Sequence, residues 1–109
     1  MKDPMSRGIW SLSFFTLAVF LAGCGTNFQT AGLVERGRVA MLAGDNPSAL
    51  ADFQSALQTD PNYVYGVQLR AGVLSYVGRA QYLNGQLGQA RETLEKAVAQ
   101  DPNDHVARL

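Results

Sequence analysis

The chain of 109 residues contains one cysteine, one histidine and one tryptophan, and its nine Lys/Arg balance nine Asp/Glu. One cysteine permits no intrachain disulfide, even in an oxidising compartment. One histidine, His105, stands beside a turn and reads as a surface residue, not as a general base or metal ligand. No basic run or basic face is present, which excludes nucleic acid as a partner. No apolar run reaches the roughly 18 residues needed for a membrane-spanning helix. No glycine-rich loop follows a strand and opens a helix, so nothing cradles a phosphate, and no segment reads as a strand. Asp101 and Asp104 flank Pro102 as turn and cap residues rather than as an acid pair, and Glu92, Glu95 and Lys96 read as the wet face of a helix. The expectation is a protein that is not an enzyme and carries neither cofactor nor metal.

The lone cysteine has a context. Lys2 and Arg7 precede an apolar stretch from Ile9 to Phe20, followed by Leu21-Ala22-Gly23-Cys24. A charged start, a short apolar core and small residues before a cut are the parts of a secretory signal. The four residues ending at Cys24 resemble the bacterial lipobox. That resemblance implies removal of residues 1–23 as a lipoprotein signal peptide and acylation of Cys24, with palmitate-type chains anchoring the protein to a membrane. Trp10 would leave with the signal. Each buried CH2 adds roughly 0.8 kcal/mol, so several chains hold where one binds marginally. In Gram-negative lipoproteins an Asp after the cysteine favours the inner membrane. Gly25 stands there instead, which implies a cell-envelope lipoprotein of the outer membrane facing the periplasm. Residues 24–30 then read as lipidated cysteine and short polar tether.

Behind the tether the sequence repeats itself. Leu33, Gly37, Gly44, Ala49, Phe53, Ala56 and Pro61 align with Leu74, Gly78, Gly85, Ala90, Leu94, Ala97 and Pro102, at a constant offset of 41 residues. Each conserved spacing has a physical use. Gly37 and Gly78 allow two helices to approach closely, with Ala49 and Ala90 facing them. Phe53 and Leu94 fill the space between. Gly44 and Gly85 suit the left-handed residue that ends a helix. Asn46 is expected to cap the next helix, with Pro47 in its first turn. Pro61 and Pro102 end the second helix of each pair.

This pattern resembles the tetratricopeptide (TPR) repeat. The resemblance implies an all-α fold over residues 31–109: antiparallel helix hairpins, two repeats plus the start of a third, stacked as an α-solenoid. It departs from the family at Arg36, Ala40 and Gln81, where larger apolar or aromatic residues are usual. The usual period is 34, which leaves seven extra residues near Val64 to Arg70. Seven residues nearly complete two helical turns, so helices are expected near 31–43, 47–59, 63–84 and 87–100. The alternative is a break at Gly66.

The resemblance also places a peptide-binding groove on the first helix of each repeat. Its candidate lining is Val34, Arg38, Met41 and Leu42 from the first repeat and Ser75, Arg79, Tyr82 and Leu83 from the second. Two arginines beside Met and Tyr could hold an acidic or carboxylate-ended peptide. The implied partners are other proteins or peptides, bound by an adaptor in envelope-complex assembly. One further face calls for a neighbour. Leu87, Ala90, Leu94, Ala97 and Val98 form an apolar stripe on the helix 87–100 with nothing following to cover it. Repeat arrays generally need about three units and a cap. The expectation is therefore a chain truncated in its third repeat, an accessory domain of a larger protein, or a structural lipoprotein that forms a homo-oligomer through helix 87–100.

Overall fold

The computed structural model describes residues 27–108, so the expected signal segment and Cys24 lie outside the described residues. Helix α1 is described over 27–42, which makes the expected tether helical from residue 27 onward. Helix α2 spans Asn46–Thr59, α3 Val73–Leu83 and α4 Leu87–Gln100. Between α2 and α3, strands β1 (Val64–Tyr65) and β2 (Ala71–Gly72) pair antiparallel, with Val64 opposite Gly72 and Tyr65 opposite Ala71. The architecture is two antiparallel helix pairs, α1–α2 and α3–α4, stacked side by side, with a small hairpin at the joint.

The ends of the helices are built twice from the same parts. After α1, the Gly44 N–H donates to Met41 and the Asp45 N–H to Ala40; after α3, Gly85 donates to Tyr82 and Gln86 to Gln81. These paired bonds are the Schellman arrangement, which requires a left-handed residue. Gly44 and Gly85 both supply it at φ +79°. After α2 and α4, the carboxylates of Asp60 and Asp101 accept the N–H of Asn62 and Asn103 at 3.0 and 2.9 Å, closing two matching turns.

The cap of α2 differs from the expected one. Asp45, not Asn46, accepts the Ser48 N–H, at 3.3 Å. Asn46 lies inside the helix and its amide donates to the Leu83 carbonyl, while the Asn84 amide donates to the Asn46 carbonyl at 2.9 Å. The turn of the first pair is thereby tied to the turn of the second.

The core lies between the pairs and holds Val34, Ala49, Phe53, Ala56, Val73, Tyr76, Val77 and Ala80. Phe53 is fully buried, which contributes about 1.5–3 kcal/mol. The close-approach glycines are where the spacing places them. A Cβ on Gly37 would sit 2.6 Å from the Phe53 ring, and one on Gly78 would sit 2.7 Å from Leu94.

The long helix expected over 63–84 does not form. The seven extra residues make the hairpin instead, and α3 begins only at Val73. Gly66 decides this: it adopts φ +89°, and a Cβ there would meet the Leu69 carbonyl at 2.5 Å. Glycine is also costly within a helix, by about 1 kcal/mol relative to alanine. Val64 and Tyr65 on its near side favour strand. Beyond Asp104 the described residues form a turn at 105–107. Asp104 nevertheless behaves as a cap, its carboxylate accepting the Val106 and Ala107 N–H groups at 3.0 and 3.1 Å.

Candidate functional site

Two places gather the residues that could bind a partner. The first is where the hairpin meets α1. The Tyr65 hydroxyl donates to the Glu35 carboxylate at 2.9 Å, and the Arg38 guanidinium donates to Glu35 at 2.9 Å and to the Tyr65 oxygen. Arg38 also lies 4.5 Å from the centre of the Tyr65 ring, a favourable cation–π position. The Tyr65 hydrogen bond outweighs the opposing desolvation and, with Arg38 beside it, holds the Glu35 carboxyl below its ordinary value. Tyr65 meets Tyr76 edge to face at 6.3 Å, and Tyr76 stacks on Phe53 at 5.0 Å. Burial pushes the Tyr76 hydroxyl up. A continuous aromatic column thus anchors the hairpin to the core and occupies Arg38 from within.

The second place is a groove of about 860 Å3 between α3 and α4. Arg79, Tyr82 and Leu83 form its α3 wall, and Leu87, Ala90, Arg91, Leu94, Glu95 and Val98 its α4 wall, with Ala107 at one end. Leu87 is 61% exposed and Tyr82 56%. Arg91 pairs with Glu95 at 3.0 Å on the rim, an exposed i,i+4 pair that adds only a few tenths of a kcal/mol. Arg79 has no ion-pair partner among the described residues.

The eight candidate groove residues therefore separate. Arg79, Tyr82 and Leu83 come together in the groove. Val34 and Ser75 are fully buried and present no surface to a ligand. Val34 is part of the core, and the Ser75 hydroxyl donates to the Gly72 carbonyl at 2.7 Å at the start of α3. Met41 is half-buried against the core, Leu42 is 84% exposed away from the groove lining, and Arg38 is held by Glu35 and Tyr65. The equivalence of Arg38 and Arg79 thus fails in space, because the hairpin covers only the first. The apolar stripe on α4 was legible from its spacing, except that Ala97 is buried and faces away from the groove. Arg91, Glu95, Tyr65 and Tyr76 carry no motif.

Among the described residues no helix is long and apolar enough to cross a membrane, and no group of three His, Cys, Asp or Glu could hold a metal ion. Comparison with known protein families matches residues 40–109 to the one described as tetratricopeptide repeat, more than half of the chain. No curated protein and no solved structure matches it.

Proposed function

The chain belongs to the tetratricopeptide repeat family, and from that premise we propose that it is a lipid-anchored bacterial envelope protein whose repeats act as an adaptor in assembling an envelope complex. Tetratricopeptide repeats mediate protein–protein interaction. The observation that carries the adaptor reading is the α3–α4 groove: an open, mostly apolar concavity of about 860 Å3 held between two packed helices. Exposed apolar surface of this kind, rimmed by charge, marks an interaction site. Nothing in an adaptor role requires a reacting group.

The anchor rests on sequence. The apolar stretch Ile9 to Phe20, the small residues Ala22 and Gly23, and Cys24 support lipidation at that cysteine. Gly25 supports the outer membrane, facing the periplasm. With α1 under way by residue 27, the repeats would sit close to the bilayer.

Fractionation of cells carrying Cys24→Ala tests the anchor. Released protein or uncut precursor is expected, and normal cleavage with membrane retention would overturn it. Cross-linking of the lipidated protein in cells, followed by capture and mass spectrometry, tests the adaptor. A dominant envelope partner, diminished by Arg79→Ala, is expected. Recovery of the protein cross-linked only to itself would replace the adaptor with a self-associating structural lipoprotein.

A further inference from the structure

Of the five asparagines in the chain, only Asn84 is followed by glycine. That pair carries a spontaneous chemistry, and asparagine is among the thermally labile residues for this reason. The backbone nitrogen of the following residue attacks the side-chain amide carbon, and a glycine, having no Cβ, lets it approach. Here a bond would form between Gly85 N and Asn84 Cγ while the Cγ–Nδ2 bond breaks. The nitrogen leaves as ammonia, taking up the proton that Gly85 N loses. Water then opens the five-membered imide at either carbonyl. The product is aspartate, or isoaspartate, whose main chain runs through the former side chain. One water is consumed and one ammonia released, and no other reactant is needed.

The fold holds each participant in an unreactive place. The Gly85 N–H donates to the Tyr82 carbonyl at 3.0 Å as part of the Schellman end. The Asn84 amide donates to the Ala80 carbonyl at 2.7 Å and to the Asn46 carbonyl at 2.9 Å, so the leaving nitrogen is tied at two points. The Asn46 amide returns the tie by donating to the Leu83 carbonyl. At Asn84 ψ is 4°, and ring closure turns that bond until the Gly85 nitrogen eclipses Cβ, well away from this angle. The rotation breaks the Gly85 bond and withdraws the amide from both carbonyls. Reaction therefore requires the joint between the two turns to open.

The product cannot restore what the reaction opens. A carboxylate only accepts hydrogen bonds, and it would face the Ala80 and Asn46 carbonyl oxygens, which also only accept. Ala80 lies in the last turn of α3, where the helix dipole disfavours a negative charge. Isoaspartate also lengthens the main chain by one atom inside the turn that joins Tyr82 to Gly85. We infer that Asn84 is a gated deamidation site at the joint between the helix pairs. It is closed while the Asn46–Asn84 tie is made, reactive when the tie opens, and converted to a product that leaves the joint loosened. The gate is local. Its parts lie at the far end of α3 from the Asp104–Gly72 contact, and a local opening costs less than global unfolding.

The test ages the full chain in detergent at mildly alkaline pH, with and without denaturing urea. Mass spectrometry follows the tryptic segment between Arg79 and Arg91, and isoaspartyl methyltransferase counts isoaspartate. Asn84 is expected to convert at least about tenfold more slowly in the folded chain than in urea. In urea it should convert ahead of Asn62 and Asn103, which precede Tyr63 and Asp104. Equal rates in the folded and unfolded chain overturn the gate. Urea below the unfolding midpoint separates the joint from the whole fold. There Asn84 conversion and exchange of the Gly85 amide hydrogen should accelerate together, before the Phe53 amide exchanges. Conversion that waits for Phe53 overturns the joint as the gate. Asn84→Asp, which carries the charge of the product on an ordinary backbone, should lower the Tm by about 4 °C or more. The aged chain enriched in isoaspartate should melt lower still, and it supplies this readout if Asn84→Asp fails to fold. Products that melt with the parent overturn the loosened joint.

Discussion

Replacing Asp104 with alanine removes three acceptor contacts at once. Its carboxylate is 1% exposed. One oxygen takes the Gly72 N–H at 2.8 Å, and the other takes those of Val106 and Ala107 at 3.0 and 3.1 Å. Gly72 is the residue immediately before α3, so the contact fastens the end of the second repeat to its beginning. Losing a capping carboxylate costs about 0.5–2 kcal/mol, and leaving a buried amide without an acceptor costs about 1–3 kcal/mol. Asp104→Ala should therefore destabilise the domain by about 2–4 kcal/mol. A domain of this size holds roughly 4–12 kcal/mol in total. At about 4–8 °C per kcal/mol, the Tm should fall by roughly 8–32 °C. Thermal melts followed by far-ultraviolet circular dichroism measure this directly. Asp104→Asn sharpens the test, because its amide keeps one carbonyl oxygen and turns an N–H group toward the other donor. It can save the turn or the Gly72 bond but not both, and should lose about half as much. If both variants melt within about 0.5 kcal/mol of the parent, a typical surface-substitution effect, Asp104 does not hold the repeat closed.

The glycines and the hairpin give further predictions. Gly37→Ala should cost about 1–3 kcal/mol by denaturant titration, because the new Cβ meets the Phe53 ring at 2.6 Å and that ring is fully buried against Tyr76. Gly78→Ala should cost less, since Leu94 can swing its methyl groups into the open groove; the reverse order would contradict the packing described. The Glu35 carboxyl should titrate below its ordinary pKa of about 4.3 by nuclear magnetic resonance, and Tyr65→Phe should return it toward that value. With the folded value depressed, whatever this contact contributes is present above the ordinary value and fades as pH falls through the depressed one. The Tyr65 and Arg38 resonances should therefore shift together as the pH falls through that depressed value in the parent chain, and an acid-independent hairpin would refute the contact.

Much of the fold was written in small residues. Gly37 with Ala49, Gly78 with Ala90, and the two Asp-Pro-Asn turns fixed where helices pass and stop, because only those residue types satisfy the local sterics. The hairpin was not legible in the same way. Val64, Val67, Ala71 and Leu74 have helical spacing, and periodicity cannot register that Gly66 takes a positive φ or that Tyr65 finds Arg38 27 residues away. The site was half legible for the same reason. The stripe on α4 follows from one helix alone, whereas the burial of Val34 and Ser75 and the occupation of Arg38 depend on what the hairpin and α3 do in space.

The helix-ending hardware has a consequence for how such a chain can change over time. Both Schellman ends, both Asx turns and both close-approach glycines recur at an interval of 41 residues. A whole interval can therefore be duplicated or excised with every joint meeting a joint of its own kind. The surfaces between the joints are free to diverge, as Arg38 and Arg79 already have. Growth by units of this kind changes the length and the binding repertoire of the molecule while its internal grammar stays the same.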